Sequence, residues 1–228
     1  MKIGILQTGH APDVLIDKTG DYSNMFQRLL TGQGFTFQTW SVVDMEFPAS
    51  IHDAEGWLLT GSRHGAYDDL PFIAPLEEFI RSAYAASVPM VGVCFGHQII
   101  AQALGGKVEK FSGGWSVGRT VYNFDGRAVA LNAWHQDQVT RRPADARVCG
   151  KSDFCENAAL LYQGRAFTVQ PHPEFGSDFI DQLAETRGRG VVPDRLLDKA
   201  KTQLDKPTDS SLMARQIGHF FKHRDLIS

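Results

Sequence analysis

Cysteine is scarce in this sequence: three residues among 228, at positions 94, 149 and 155. An odd, low count argues against a disulfide framework and fits a reducing compartment. Long apolar runs are missing as well. No stretch approaches the roughly 20 residues of a membrane span. The opening Met1-Lys2-Ile3-Gly4-Ile5-Leu6-Gln7 is too short for a signal-peptide core, and no small-residue cleavage site follows it. Positive charge is not in excess. Lys and Arg total 23 against 26 for Asp and Glu, a formal net charge of −3, so the electrostatic footprint of a nucleic-acid binder is absent. Zinc-type cysteine spacings and phosphate-binding glycine patterns are also lacking. His219 and His223 stand four apart, but a metalloprotease motif needs Glu where Phe220 stands, so they read as a solvated helix face. These absences point to a soluble, cytoplasmic protein with no metal, no cofactor and no membrane or nucleic-acid partner.

What is present is a hydrophobic content of 43% and an aromatic content of 11%, enough for one domain with a large core. The expected domain is 1–228, with a catalytic core over about 1–190 and a charged helical segment over about 191–228 packed outside it. Lys2–Leu6, Phe35–Val43, Gly56–Leu59 and Pro89–Val93 read as strands. Tyr22–Leu30 and Leu76–Ala86 read as helices, with a further helix after residue 94 ending near Gly105-Gly106. This alternation predicts an α/β fold, a mainly parallel sheet with helices on both faces. Short strands between Arg119 and Val169 predict an antiparallel extension.

The strongest local signal is Gly92-Val93-Cys94-Phe95-Gly96-His97-Gln98. It falls where a buried strand meets a helix. A nucleophile elbow needs small residues on both sides of the reactive one, because the turn is sharp and strained. Gly92 and Gly96 meet that need. Cys94 then stands above the sheet edge at a helix N-terminus, where backbone N–H groups favour a thiolate. The Phe95 N–H becomes a candidate oxyanion donor. A thiol nucleophile also needs a base and a group to orient it. Pro171-His172-Pro173-Glu174-Phe175 follows the strand read over Ala166–Val169, and extended backbone there would point His172 and Glu174 the same way. His-x-Glu alone is a weak signal and gains weight only from the elbow. Gly113–Gly118, with Trp115 and Ser116, either borders the pocket or is a plain turn. Cys149 and Cys155 lack elbow glycines and read as structural.

Together these motifs resemble the class I glutamine amidotransferase family, with its Gly-x-Cys-x-Gly-x-Gln elbow and later His-Pro-Glu. Gly105-Gly106-Lys107-Val108 and Trp134-His135-Gln136-Asp137-Gln138-Val139 add to the likeness. The resemblance implies a flavodoxin-like three-layer α/β/α sandwich and a Cys94–His172–Glu174 triad. It further implies that Gly61 is the second oxyanion donor, that Gln98 holds a glutamyl group, and that His135 and Asp137 lie near the substrate's amino-acid end; an ordinary polar turn is the alternative for the last two. The loop Thr60-Gly61-Ser62-Arg63-His64-Gly65-Ala66-Tyr67-Asp68-Asp69 departs from the Gly-Gly-Pro type and looks like that of the γ-glutamyl peptidase branch. Three functions stay open: hydrolysis of a small γ-glutamyl substrate, glutaminase activity feeding a separate synthase chain, and redox sensing through Cys94 without catalysis.

Overall fold

The computed structural model describes residues 1–227. One nine-stranded sheet organises them. Its parallel half runs β2 (Thr36–Trp40), β1 (Lys2–Leu6), β3 (Gly56–Leu59), β4 (Met90–Val93) and β11 (Ala166–Val169). The antiparallel half continues through β10 (Ala159–Tyr162), β9 (Arg147–Lys151), β6 (Ser116–Phe124) and β7 (Arg127–His135). A separate pair joins β5 (Lys107–Lys110) to β8 (Asp137–Arg141).

Apart from the edge strand β2, the parallel strands are buried on both faces, so their side chains alternate between two cores. Trp57, Leu59 and Met90 face one cluster; Ile3, Ile5, Leu58, Val91, Val93, Phe167 and Val169 face the other. The first cluster is closed by α3 (Ile73–Ala85) and α4 (Phe95–Ala103). The second is closed by α2 (Tyr22–Leu29) and α7 (Ser210–His223). This is the three-layer sandwich. It corrects one expectation: α7 does not lie outside the core. Met213, Ala214, Ile217, Phe220 and Phe221 are all buried in it, because its apolar positions recur at helical spacing even though the segment is polar on average. The remaining helices, α1 (Asp13–Thr19), α5 (Ser177–Leu183) and α6 (Asp194–Lys201), flank the mouth of the parallel half or the antiparallel extension. The expected strand to Val43 ends earlier, since Val42–Asp44 turns into a short 3-10 segment.

The junction of β4 with α4 depends on its two glycines. A Cβ at Gly92 would stand 2.4 Å from the Gly96 carbonyl oxygen, and one at Gly96 would stand 2.3 Å from the Leu59 carbonyl oxygen. Both obstacles are backbone and cannot swing aside. We expect Gly96→Ala to lower stability by about 3 kcal/mol, the upper range for forced overpacking. Denaturant melts of the two proteins check this, and a midpoint equal to the parent's would refute the packing account.

Candidate active site

Cys94 sits at the end of β4 with φ 53° and ψ −104°, a conformation an L-residue adopts only under constraint. The constraint is visible. Its N–H donates to the Val169 carbonyl at 2.9 Å, the next N–H but one, on Gly96, donates to the Thr60 carbonyl at 3.0 Å, and its own carbonyl accepts from Gln98 N–H at 3.0 Å. Two neighbouring strands and the first turn of α4 therefore fix this turn. Cys94 is only 6% exposed, and it lines a cleft of about 630 Å³.

His172 reaches the same place from the end of β11. Its N–H donates to the Asn132 carbonyl at 2.8 Å, and the Asn132 amide donates to the Phe175 carbonyl at 2.8 Å. The extended geometry expected for His172 to Glu174 is not what forms. The chain turns there, with Phe175 N–H donating back to the His172 carbonyl. The turn still brings His172 Nδ1 within 2.6 Å of Glu174 Oε1. It also lays the Phe175 ring flat on the imidazole, with centroids 3.9 Å apart and planes 4° apart. The Glu174 side chain is fully buried, so its charge acts at low dielectric. Burial pulls the His172 pKa down, but the Glu174 carboxylate and the Cys94 sulfur outweigh it and hold the ring well above the ordinary imidazole range.

Gly61 lies against both groups. A Cβ there would stand 3.0 Å from His172 Cε1 and 3.8 Å from Cys94 Cβ. Its carbonyl accepts from the Thr8 hydroxyl at 3.1 Å. Among the described residues, neither the Gly61 N–H nor the Phe95 N–H donates to a protein acceptor. The Phe95 ring is buried in the core beside Phe72, so only its backbone faces the elbow.

The other candidates divide. Gln98, Trp115, His135 and Asp137 line the cleft with Cys94 and His172, whereas Ser116 lies on β6 opposite His135 and is not part of the wall. Gln98 commits its amide N–H groups to the Asp137 carbonyl at 3.0 Å and to Gln170 Oε1 at 3.1 Å. That leaves its Oε1 for a ligand. Burial and the nearby His172 push the His135 pKa down to about 3, so this ring is neutral; its buried Nε2 has no partner among the described residues. Burial raises the Asp137 carboxyl, which accepts from the Tyr67 hydroxyl at 3.1 Å. Cys149 and Cys155 are buried away from the cleft, and burial pushes both thiols up to about 12. His219 bonds Asp225 at 2.8 Å on the surface.

Tyr22 and Arg187, which no sequence motif singles out, also line the cleft, as does Trp134 beside His135. No local motif marks Arg187, since it arrives on a segment far from the elbow in sequence.

A family profile for "Glutamine amidotransferase class-I" matches residues 15–182. The chain belongs to the class I glutamine amidotransferase family. Among its relatives, Gamma-glutamyl peptidase 4 of Arabidopsis thaliana is 29% identical over 204 residues, covering 82% of this chain and 81% of that protein. A glutamine-hydrolyzing GMP synthase subunit of Methanopyrus kandleri is 27% identical over 198 residues, covering 77% of this chain and 98% of the relative. A glutamine amido transferase structure from Methylobacillus flagellatus superposes with a TM-score of 0.75 at 20% identity, covering 100% of this chain and 96% of that chain, a likeness of fold. No helix among the described residues is long and apolar enough to cross a membrane.

Proposed function

We propose that this amidotransferase-family protein is a hydrolase of γ-glutamyl amides, working through a thioester on Cys94. The observation that carries the reading is the strained, strand-fixed Cys94 facing an imidazole whose far nitrogen is held by a buried carboxylate. In this reading the Cys94 sulfur adds to the γ-carbonyl, and the Gly61 and Phe95 N–H groups take up the oxyanion. His172, held protonated by Glu174, gives its proton to the departing nitrogen, and the C–N bond breaks to leave the thioester. His172 then accepts a proton from water, which attacks the thioester and releases glutamate and the thiol. Gln98, His135 and Asp137 grip the glutamyl end, with Trp115 at its border.

A glutaminase delivering ammonia to a separate synthase chain is the second reading, favoured by the likeness to a GMP synthase subunit. Redox sensing alone gives no use for the Glu174–His172 pair. The deciding experiment is a hydrolysis panel on the purified protein with no partner added. We expect kcat/KM for γ-glutamyl dipeptides to exceed that for glutamine. Inertness until a second protein is supplied would favour the synthase reading instead.

The same preparation yields a second expectation. A chloroketone analogue of glutamine should alkylate Cys94 and spare Cys149 and Cys155, whose burial keeps them as thiols at neutral pH. Peptide mapping by mass spectrometry reads the result, and preferential modification of either buried cysteine would remove the support for Cys94.

A further inference from the structure

We propose that Arg187 is a specificity residue that binds a free carboxylate on the leaving group, so the preferred substrate is a γ-glutamyl amide of an amino acid. This rests on the hydrolase reading above and adds to it the chemical class of the leaving amine.

Arg187 lies in a π-helical turn, Ala184–Gly188, that follows α5 directly. Such turns insert an extra residue into a helix and re-aim its side chains, often at functional sites. Here the guanidinium is half-buried on the cleft wall. One terminal nitrogen donates to the Tyr22 hydroxyl at 3.3 Å and the other to the His10 carbonyl at 3.0 Å. Both acceptors are neutral. Among the described residues no carboxylate comes within 4.0 Å of it. The acid closest in the network, Asp21, spends its oxygens on Gln7, His10 and the N–H groups of Ala11 and Tyr22. Arg189, two residues on, is by contrast paired with both Glu185 and Asp194. A guanidinium carries five N–H donors. Two of those at Arg187 are used, which leaves a fork for an incoming anion.

The position of Arg187 decides which anion. His172 has to face the departing nitrogen if it protonates it. Phe175 stacks on His172, Tyr22 packs on Phe175 with centroids 5.9 Å apart, and the Tyr22 hydroxyl meets Arg187. Burial keeps the Tyr22 phenol protonated, up to about 12. Arg187 is thereby joined to His172 through the Phe175 and Tyr22 rings, and this face of the imidazole is assigned to the leaving group. The groups assigned to the glutamyl end, Gln98 and Asp137, are tied to each other and to Tyr67. A leaving amine with a carboxylate on its α-carbon presents that anion a short distance past the scissile nitrogen, which is the side Arg187 occupies. Ammonia offers nothing there. Arg63 also lines the cleft; burial first, then Arg63 and Arg187, lower the pKa of His64 against the opposing Asp68 carboxylate, so both guanidiniums act on this part of the cleft.

The test compares γ-glutamyl-alanine with γ-glutamyl-alaninamide, which differ only in the carboxylate. In the parent protein we expect kcat/KM to favour the acid by about 10- to 100-fold, the range of a charge-assisted hydrogen bond. Arg187→Met keeps the stem and removes the fork; the acid-to-amide ratio should fall to about one. Arg187→Lys, a point charge without a fork, should restore part of the ratio. A parent ratio of one or below overturns the inference without recourse to any variant, and leaves the hydrolase reading standing. Equal loss on both substrates in Arg187→Met, with the ratio kept, also overturns it and moves Arg187 to the glutamyl end. Turnover of neither compound nor of glutamine, with Cys94 unlabelled by the chloroketone, overturns the hydrolase reading and this inference together.

Discussion

Replacing Cys94 by alanine should lower γ-glutamyl hydrolysis by about 10⁴-fold or more, because no covalent intermediate can then form. The fold should persist. The Cys94 side chain borders the cleft, and the turn is held by backbone hydrogen bonds to Val169 and Thr60, which alanine keeps. The backbone conformation at φ 53° is already strained in the parent and is no worse for alanine. Turnover and circular dichroism on one preparation provide the check. Turnover within tenfold of the parent would end the nucleophile assignment, and a lost fold would point to Cys94→Ser as the cleaner variant.

The second large effect is expected at Glu174. Glu174→Gln keeps the shape and a hydrogen-bonding oxygen but removes the buried negative charge 2.6 Å from His172 Nδ1. The ring loses its main charged support while burial still pulls its pKa down. Its protonated form should therefore be lost at lower pH than in the parent. We expect kcat to fall by about 10²- to 10⁴-fold, in line with the loss of oriented acid–base assistance. The basic limb of the pH–rate profile should move to lower pH. A parent-like profile with kcat within threefold would show that Glu174 neither charges nor orients the imidazole.

Much of the frame was legible in the sequence. Lys2–Leu6, Gly56–Leu59 and Ala166–Val169 are read at their observed bounds, since short buried parallel strands are apolar runs with sharp ends. The elbow was legible because its steric demand is local and leaves glycine as the solution at 92 and 96. Other parts needed distance information. Helix α1 has only Leu15 buried along seven residues, too little to set a period. The turn at Pro173–Glu174 replaces an extended segment because Asn132, on a strand 40 residues earlier, pins His172 and Phe175 from the side. The cleft wall formed by Tyr22 and Arg187 is joined across 165 residues, and no pattern within either segment announces it.

The strand order has a consequence for how the protein comes off the ribosome. Gly61, Cys94 and His172 follow three adjacent strands, β3, β4 and β11, yet β11 is separated from β4 in sequence by the entire antiparallel half. Until residues 166–169 have been synthesised and inserted, β4 is an open edge with Val91 and Val93 uncovered. Unpaired apolar edges invite pairing with other chains. Stalled or truncated chains ending before residue 166 should consequently aggregate through that edge. In refolding, hydrolysis should return only once β11 has paired with β4, so catalytic competence serves as a clock for that long-range closure of the sheet.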